Sequence, residues 1–132
     1  MSDMPMERGV VTLRSAYNVA HTVERLTQLL SEHGVRIFAH IDFSGDAAAA
    51  GLTLLPEQML IFGNPRAGTP LMQVEPEVGL DLPLKVLVWE DDRGATWIAY
   101  TTADYVVSRH GLPRAMGTAL EGALRLIEQL AR

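Results

Sequence analysis

The chain contains no cysteine. That absence excludes disulfide cross-links, thiolate-ligated zinc, iron–sulfur clusters and a cysteine nucleophile together, while leaving the redox compartment open. Positive charge is scarce: Lys+Arg 11 stand against Asp+Glu 16, a formal net charge of -5. Binders of the phosphate backbone draw affinity from clustered Lys and Arg, so no nucleic-acid partner is expected. Long apolar runs are missing as well. No stretch approaches the roughly 18 apolar residues of a membrane span, and Met1 to Gly9 mixes Asp3, Pro5, Glu7 and Arg8 with no apolar h-region. The expectation is a cytoplasmic protein with no membrane partner. What remains is 132 residues, 48% hydrophobic and 20% charged, the composition of one folded domain over 1–132 with 1–7 as a loose N-terminal tail. At this length a chain hides roughly two-thirds of its unfolded surface, so no metal or other staple is required.

Periodicity divides the chain into short elements. Arg8 to Arg14 alternates as a first strand. Asn18 then stands as an N-cap before Val19, Val23, Leu26 and Leu30, which share one helical stripe that Gly34 ends. Val35 to Asp42 alternates strictly, with Phe38, His40 and Asp42 on one face. The alanines after Asp46 predict a short helix over Ser44 to Gly51, with Ser44 or Gly45 near its cap. Glu57 to Phe62 is apolar on both faces at its C-terminal end, as in a central strand. Thr69-Pro70 reads as an N-cap with proline at N1, opening a helix to about Glu75.

Leu84 to Glu90 and Ala95 to Thr101 flank Asp91-Asp92-Arg93-Gly94, a hairpin signal. A turn symmetric about those residues sets Val86 opposite Ala99, Lys85 opposite Tyr100 and Leu87 opposite Ile98, so Lys85, Leu87, Trp89, Ile98 and Tyr100 share a face. Pro113 opens a long C-terminal helix through Met116, Leu120, Ala123, Ile127 and Leu130. The order predicts an α+β fold: a mainly antiparallel five-stranded sheet with two long helices on one face, in β-α-β(4)-α topology with short helical insertions. The other face is left without helices.

The run Leu60-Ile61-Phe62-Gly63-Asn64-Pro65, then Gly68-Thr69-Pro70-Leu71-Met72, then Gly79-Leu80-Asp81-Leu82-Pro83-Leu84-Lys85-Val86-Leu87-Val88-Trp89-Glu90-Asp91, closely resembles the bacterial and archaeal domain-of-unknown-function family numbered 302. Ile41-Asp42, Trp97 to Tyr100 and Arg109-His110 extend the resemblance over nearly the whole chain. It implies a small stand-alone, dimer-forming domain similar to the TATA-binding-protein-like topology, with no established activity. Where that family often has a His shortly after the Asp matching Asp42, this chain has Phe43, with His40 before it.

Four groups of residues are candidates for function. Asn64, Pro65, Gly68, Thr69 and Pro70, with Met72 beyond, form a Gly-rich loop entering a helix, which suits an anion; turn and cap chemistry explains the same residues without one. His40, Asp42 and His110 hold enough ligand atoms for a metal, although a hydrogen-bonded strand histidine is the plainer account, and no metal or other cofactor is expected. Asp81, Lys85 and Tyr100 combine a base, a cation and a phenol, or else form a compensated structural pair. Met59, Met72 and Met116 sit in apolar runs that suit packing, and Gly117 and Gly122 suggest close helix packing.

Two functions compete. The leading one is a homodimeric small-ligand-binding or protein-interaction domain using the helix-free sheet face, with Phe38, Leu87, Trp89 and Ile98 in the seam. Its ligand-binding residues are drawn from His40, Asp42, Asn64, Thr69, Met72, Asp81, Lys85, Tyr100 and His110. The alternative is a small acid–base enzyme with its pocket around Asp81, Lys85 and Tyr100.

Overall fold

The computed structural model describes residues 8–131, so the proposed tail over 1–7 lies outside the described residues. Five strands form one antiparallel sheet in the order β1-β5-β4-β3-β2: β1 (Val10–Arg14), β2 (Arg36–Asp42), β3 (Glu57–Gly63), β4 (Leu84–Glu90) and β5 (Thr96–Thr101). The helices are α1 (Val19–Glu32), α2 (Phe43–Ala49), α3 (Pro65–Val74), α4 (Ala103–Arg109) and α5 (Thr118–Glu128), with 3-10 turns at Pro76–Asp81 and Arg114–Gly117.

The helix α1 forms where its stripe predicts: Val19, Val23, Leu26 and Leu30 are buried, and Asn18 accepts the His21 backbone N–H at 2.8 Å. It packs on β2, β3 and β4, while α5 packs against α1, α3 and α4. Between helices and sheet lie Leu60, Phe62, Val86, Val88, Ile98 and Ile127, all nearly inaccessible. Where α1 begins, the buried Ser15 and Thr22 hydroxyls satisfy one another at 2.7 Å, as burial of polar groups requires.

Several local expectations shift. Asp42, rather than Ser44 or Gly45, caps α2. The helix expected at Thr69-Pro70 begins five residues earlier, because Asn64-Pro65 carries the same cap-and-proline chemistry; Pro70 lies inside it. The long C-terminal helix is instead a 3-10 turn over Arg114–Gly117 followed by α5. The helix α4, capped by Thr102, occupies a stretch not expected to be helical.

Two corrections decide which side chains share a face. The β4–β5 hairpin is shifted by one residue from the symmetric proposal: Val86 faces Tyr100, Leu87 faces Ala99 and Trp89 faces Trp97. The cause is the turn. Asp91 N–H donates to the Ala95 carbonyl, Gly94 N–H donates back to Asp91, and Gly94 takes φ +82, a three-residue loop with a left-handed glycine rather than a symmetric four-residue one. The second correction is a bulge in β2 between Ile37 and Ala39, with Ile37 opposite Phe62 and His40 opposite Leu60. The strict alternation of Val35 to Asp42 is broken there, which turns His40 and Asp42 to the helix side and leaves Phe38 unpaired.

Candidate functional site

The helix-free face of the sheet is the first candidate. Facing residues in an antiparallel ladder share a side, so the registers place Ile41, Met59, Leu87, Ala99 and Thr12 in one row across the sheet. A neighbouring row holds Glu57, Trp89, Trp97 and Arg14, and the row beyond the first holds Ala39, Ile61, Lys85, Thr101 and Val10. Most of the apolar members are half-buried, and no helix among the described residues covers them. The Arg14 guanidinium lies 5.6 Å from the Trp97 ring centroid, and the Trp97 indole N–H donates to Asp91 at 2.8 Å. That bond, with the Ala95 and Arg93 backbone N–H groups, holds the Asp91 carboxyl below its ordinary range. Beside this row runs a loop with Leu52, Leu54 and Leu55 exposed at 67%, 42% and 47%, tied to β4 where Pro56 accepts the Glu90 N–H.

Of the expected seam residues, Leu87 and Trp89 lie on this face. Ile98 and Tyr100 do not: the register turns both into the core, at 0% and 6% exposure. Phe38 belongs to the bulge, with Arg36 5.0 Å from its ring. The residues missed were Trp97, Met59 and Ile61. The signals for them were the alternation of β3 and the left-handed glycine of the hairpin turn.

The Asp81, Lys85 and Tyr100 constellation does not assemble. Lys85 is exposed on the helix-free face, with no hydrogen-bond or ion-pair partner among the described residues. Tyr100 points the other way and donates to Glu128 at 3.0 Å; burial, and then the Glu128 carboxylate, push its phenol well above the ordinary tyrosine range. Asp81 accepts instead from Arg109 at 3.0 and 3.1 Å and from His110 Nε2 at 2.6 Å. This pins the 3-10 turn before β4 to the end of α4. The acid–base pocket fails because the strand alternation separates its members.

The metal-ligand trio is likewise dispersed. His40 Nε2 lies 2.6 Å from Gln58 Oε1 on the helix side of the sheet edge, while His110 serves Asp81. Asp42 caps α2, accepting from Gly45 N–H and the Ser44 hydroxyl, and those bonds lower its carboxyl below the ordinary value. Among the described residues no group of three His, Cys, Asp or Glu side chains could hold a metal ion.

Asn64, Thr69 and Met72 do come together. They line a half-open cavity of about 520 Å³ between α3, α5, the start of β4 and the end of α1. Phe38, Leu82, Leu84 and Leu126 form much of its wall. Asn64 is committed in part, its side-chain oxygen accepting Arg66 N–H at 2.9 Å. Met72 is 38% exposed at the cavity rather than packed in the core, and Met59 is half-buried on the sheet's open face.

Comparison with known proteins places this architecture. A solved structure, that of an uncharacterized conserved protein DUF302 from Bacillus stearothermophilus, superposes with a TM-score of 0.82 at 21% identity, covering 94% of this chain and 98% of that one. Two curated relatives are named Fluoride-specific ion channel FluC 1, from Brucella suis biovar 1 (strain 1330) and Brucella abortus biovar 1 (strain 9-941). Each is 37% identical over 116 residues, which is 88% of this chain but only 46% and 43% of the relatives. The chain thus spans less than half the length of these proteins, and among its described residues no helix is long and apolar enough to cross a membrane. The family described as domain of unknown function DUF302 matches residues 11–130, and with the α+β fold in agreement this chain belongs to that family.

Proposed function

We propose that the chain is a self-associating interaction domain in which the helix-free sheet face docks a second copy. The observation that carries this reading is the row Ile41, Met59, Leu87 and Ala99, with Trp89 and Trp97 beside it, apolar across the sheet and covered by no helix among the described residues. Contiguous apolar surface of this kind marks interaction sites on soluble domains. The charges on the face suit a two-fold arrangement. An in-plane axis along that row exchanges the Lys85 row for the Trp89 row, bringing Lys85 of one copy over Trp89 and Glu57 of the other, so a cation meets an aromatic face and a carboxylate. The loop that leads into β3 adds exposed Leu52, Leu54 and Leu55. In the Brucella relatives a counterpart of this domain is joined to a further portion of comparable length, which fits an accessory module that brings chains together.

Sedimentation velocity across micromolar concentrations tests this. The expected result is a dimer that Trp89→Glu converts to a folded monomer; a wild-type monomer throughout that range overturns the reading.

A further inference from the structure

We propose that the cavity between α3, α5 and the start of β4 binds an uncharged amphiphile, a small molecule with an apolar body and one neutral hydrogen-bonding head. Its volume of about 520 Å³ falls within the ~300–1,000 Å³ typical of small-molecule sites, and its mix of apolar walls with few polar groups is what such sites share. Among the described residues the polar side chains are confined to His33, Asn64 and Thr69, and no Asp, Glu, Lys or Arg lines it. The polar rim is exposed, and with no Asp, Glu, Lys or Arg lining it among the described residues a charged head finds no counter-charge there, so the lining favours a neutral one.

The donors and acceptors left over describe the head. Asn64 spends its oxygen on Arg66 N–H, leaving its amide N–H groups as donors. His33 Nδ1 lies 2.9 Å from the Leu29 carbonyl, which can only accept, so Nδ1 donates there and in the neutral imidazole Nε2 is left to accept. An alcohol, ketone, amide or lactone can meet one of these groups.

Glycine also keeps the cavity open. A Cβ at Gly117 would sit 3.5 Å from the Ala103 and Val107 side chains, so packing accounts for that glycine. Gly122 also interrupts helix α5 and lines the cavity, yet a Cβ there would meet no atom within 4 Å. Glycine weakens a helix relative to alanine, and among the described residues no neighbour requires it. Phe38 and Met72, 43% and 38% exposed, are apolar lining surface that a ligand would cover. The site lies apart from the helix-free face and does not depend on self-association.

The test titrates the whole chain with prodan, an uncharged naphthyl ketone, then displaces it with 1-decanol or with decanoate at mildly alkaline pH. Saturable, blue-shifted emission is expected, with 1-decanol competing roughly tenfold better than decanoate. Gly122→Leu, which builds a side chain into the void, should weaken prodan binding roughly tenfold without lowering Tm, whereas Trp89→Glu should leave it unchanged. If Gly122→Leu fails to fold, Met72→Glu supplies the same loss from an exposed position. Absent saturation, unaltered binding in the cavity variants, or loss in Trp89→Glu would overturn the site; equal displacement by decanoate would overturn the uncharged class.

Discussion

The two faces of β4 and β5 carry comparable apolar side chains to opposite outcomes. Toward the helices, Val86, Val88 and Ile98 are fully buried at 0% exposure. Toward the other side, Leu87, Trp89, Trp97 and Ala99 alternate with them along the same strands and stay half-exposed. Hydrophobic content does not separate these faces; cover does. Burial stabilises by roughly 25 cal/mol per Å² of apolar surface removed from water, so the helix side has already gained its share in the monomer. The open side, uncovered by any helix among the described residues, would gain its share through the association proposed above.

Substitutions on the two faces should therefore differ in what they break. Phe62→Ala, in the core at 0% exposure, should lower unfolding free energy by about 3–5 kcal/mol in urea titrations. Trp89→Glu on the open face should weaken self-association by about 2 kcal/mol in sedimentation equilibrium, while moving monomer stability by less than about 1 kcal/mol. A core-like loss of monomer stability at Trp89 would erase the distinction.

Two smaller effects sharpen it. Asp81→Asn removes the acceptor shared by Arg109 and His110. It should cost about 1 kcal/mol, mostly through the His110 bond, because Arg109 is 52% exposed and its pairing is screened by solvent. Asp91 governs pH behaviour at the hairpin. Its folded pKa lies below the ordinary 3.8, chiefly because the Trp97 indole donates to it. Its contribution is therefore complete above that value and is lost as pH falls through the folded pKa. Asp91→Asn should flatten this acid limb in unfolding midpoints and release the Trp97 indole proton resonance toward its free position.

Much of the fold was legible because it is written in local rules: all five strands, the α1 stripe with its Asn18 cap, and the hairpin between Glu90 and Thr96 follow from periodicity and turn residues. The candidate site was less so. One left-handed glycine, Gly94, moves the hairpin register by one residue, and because side chains alternate, that step sends Ile98 and Tyr100 into the core and brings Trp97 out. A bulge at Phe38 does the same to His40. Alternation on its own cannot reveal where it is interrupted. The helix α4 is only 7 residues long, too short for periodicity to distinguish it from a loop. The cavity beside Asn64, Thr69 and Met72 is made by elements far apart in the chain, and Gly122, which local rules assign to close packing, borders it because nothing packs there.

The bulge in β2 has a bearing on how copies of this domain can add to one another. An open sheet has two rims, and a straight rim can recruit another strand and then another, giving growth without an end. Here one rim is β2, whose ladder is kinked between Ile37 and Ala39, and the other is β1, whose end is bridged by Ala131 to Ser15. Both obstruct strand-by-strand addition. Under the pairing proposed above, an apolar face closes on its own image and is then used up, so spoiled rims beside an open face favour a pair over a filament.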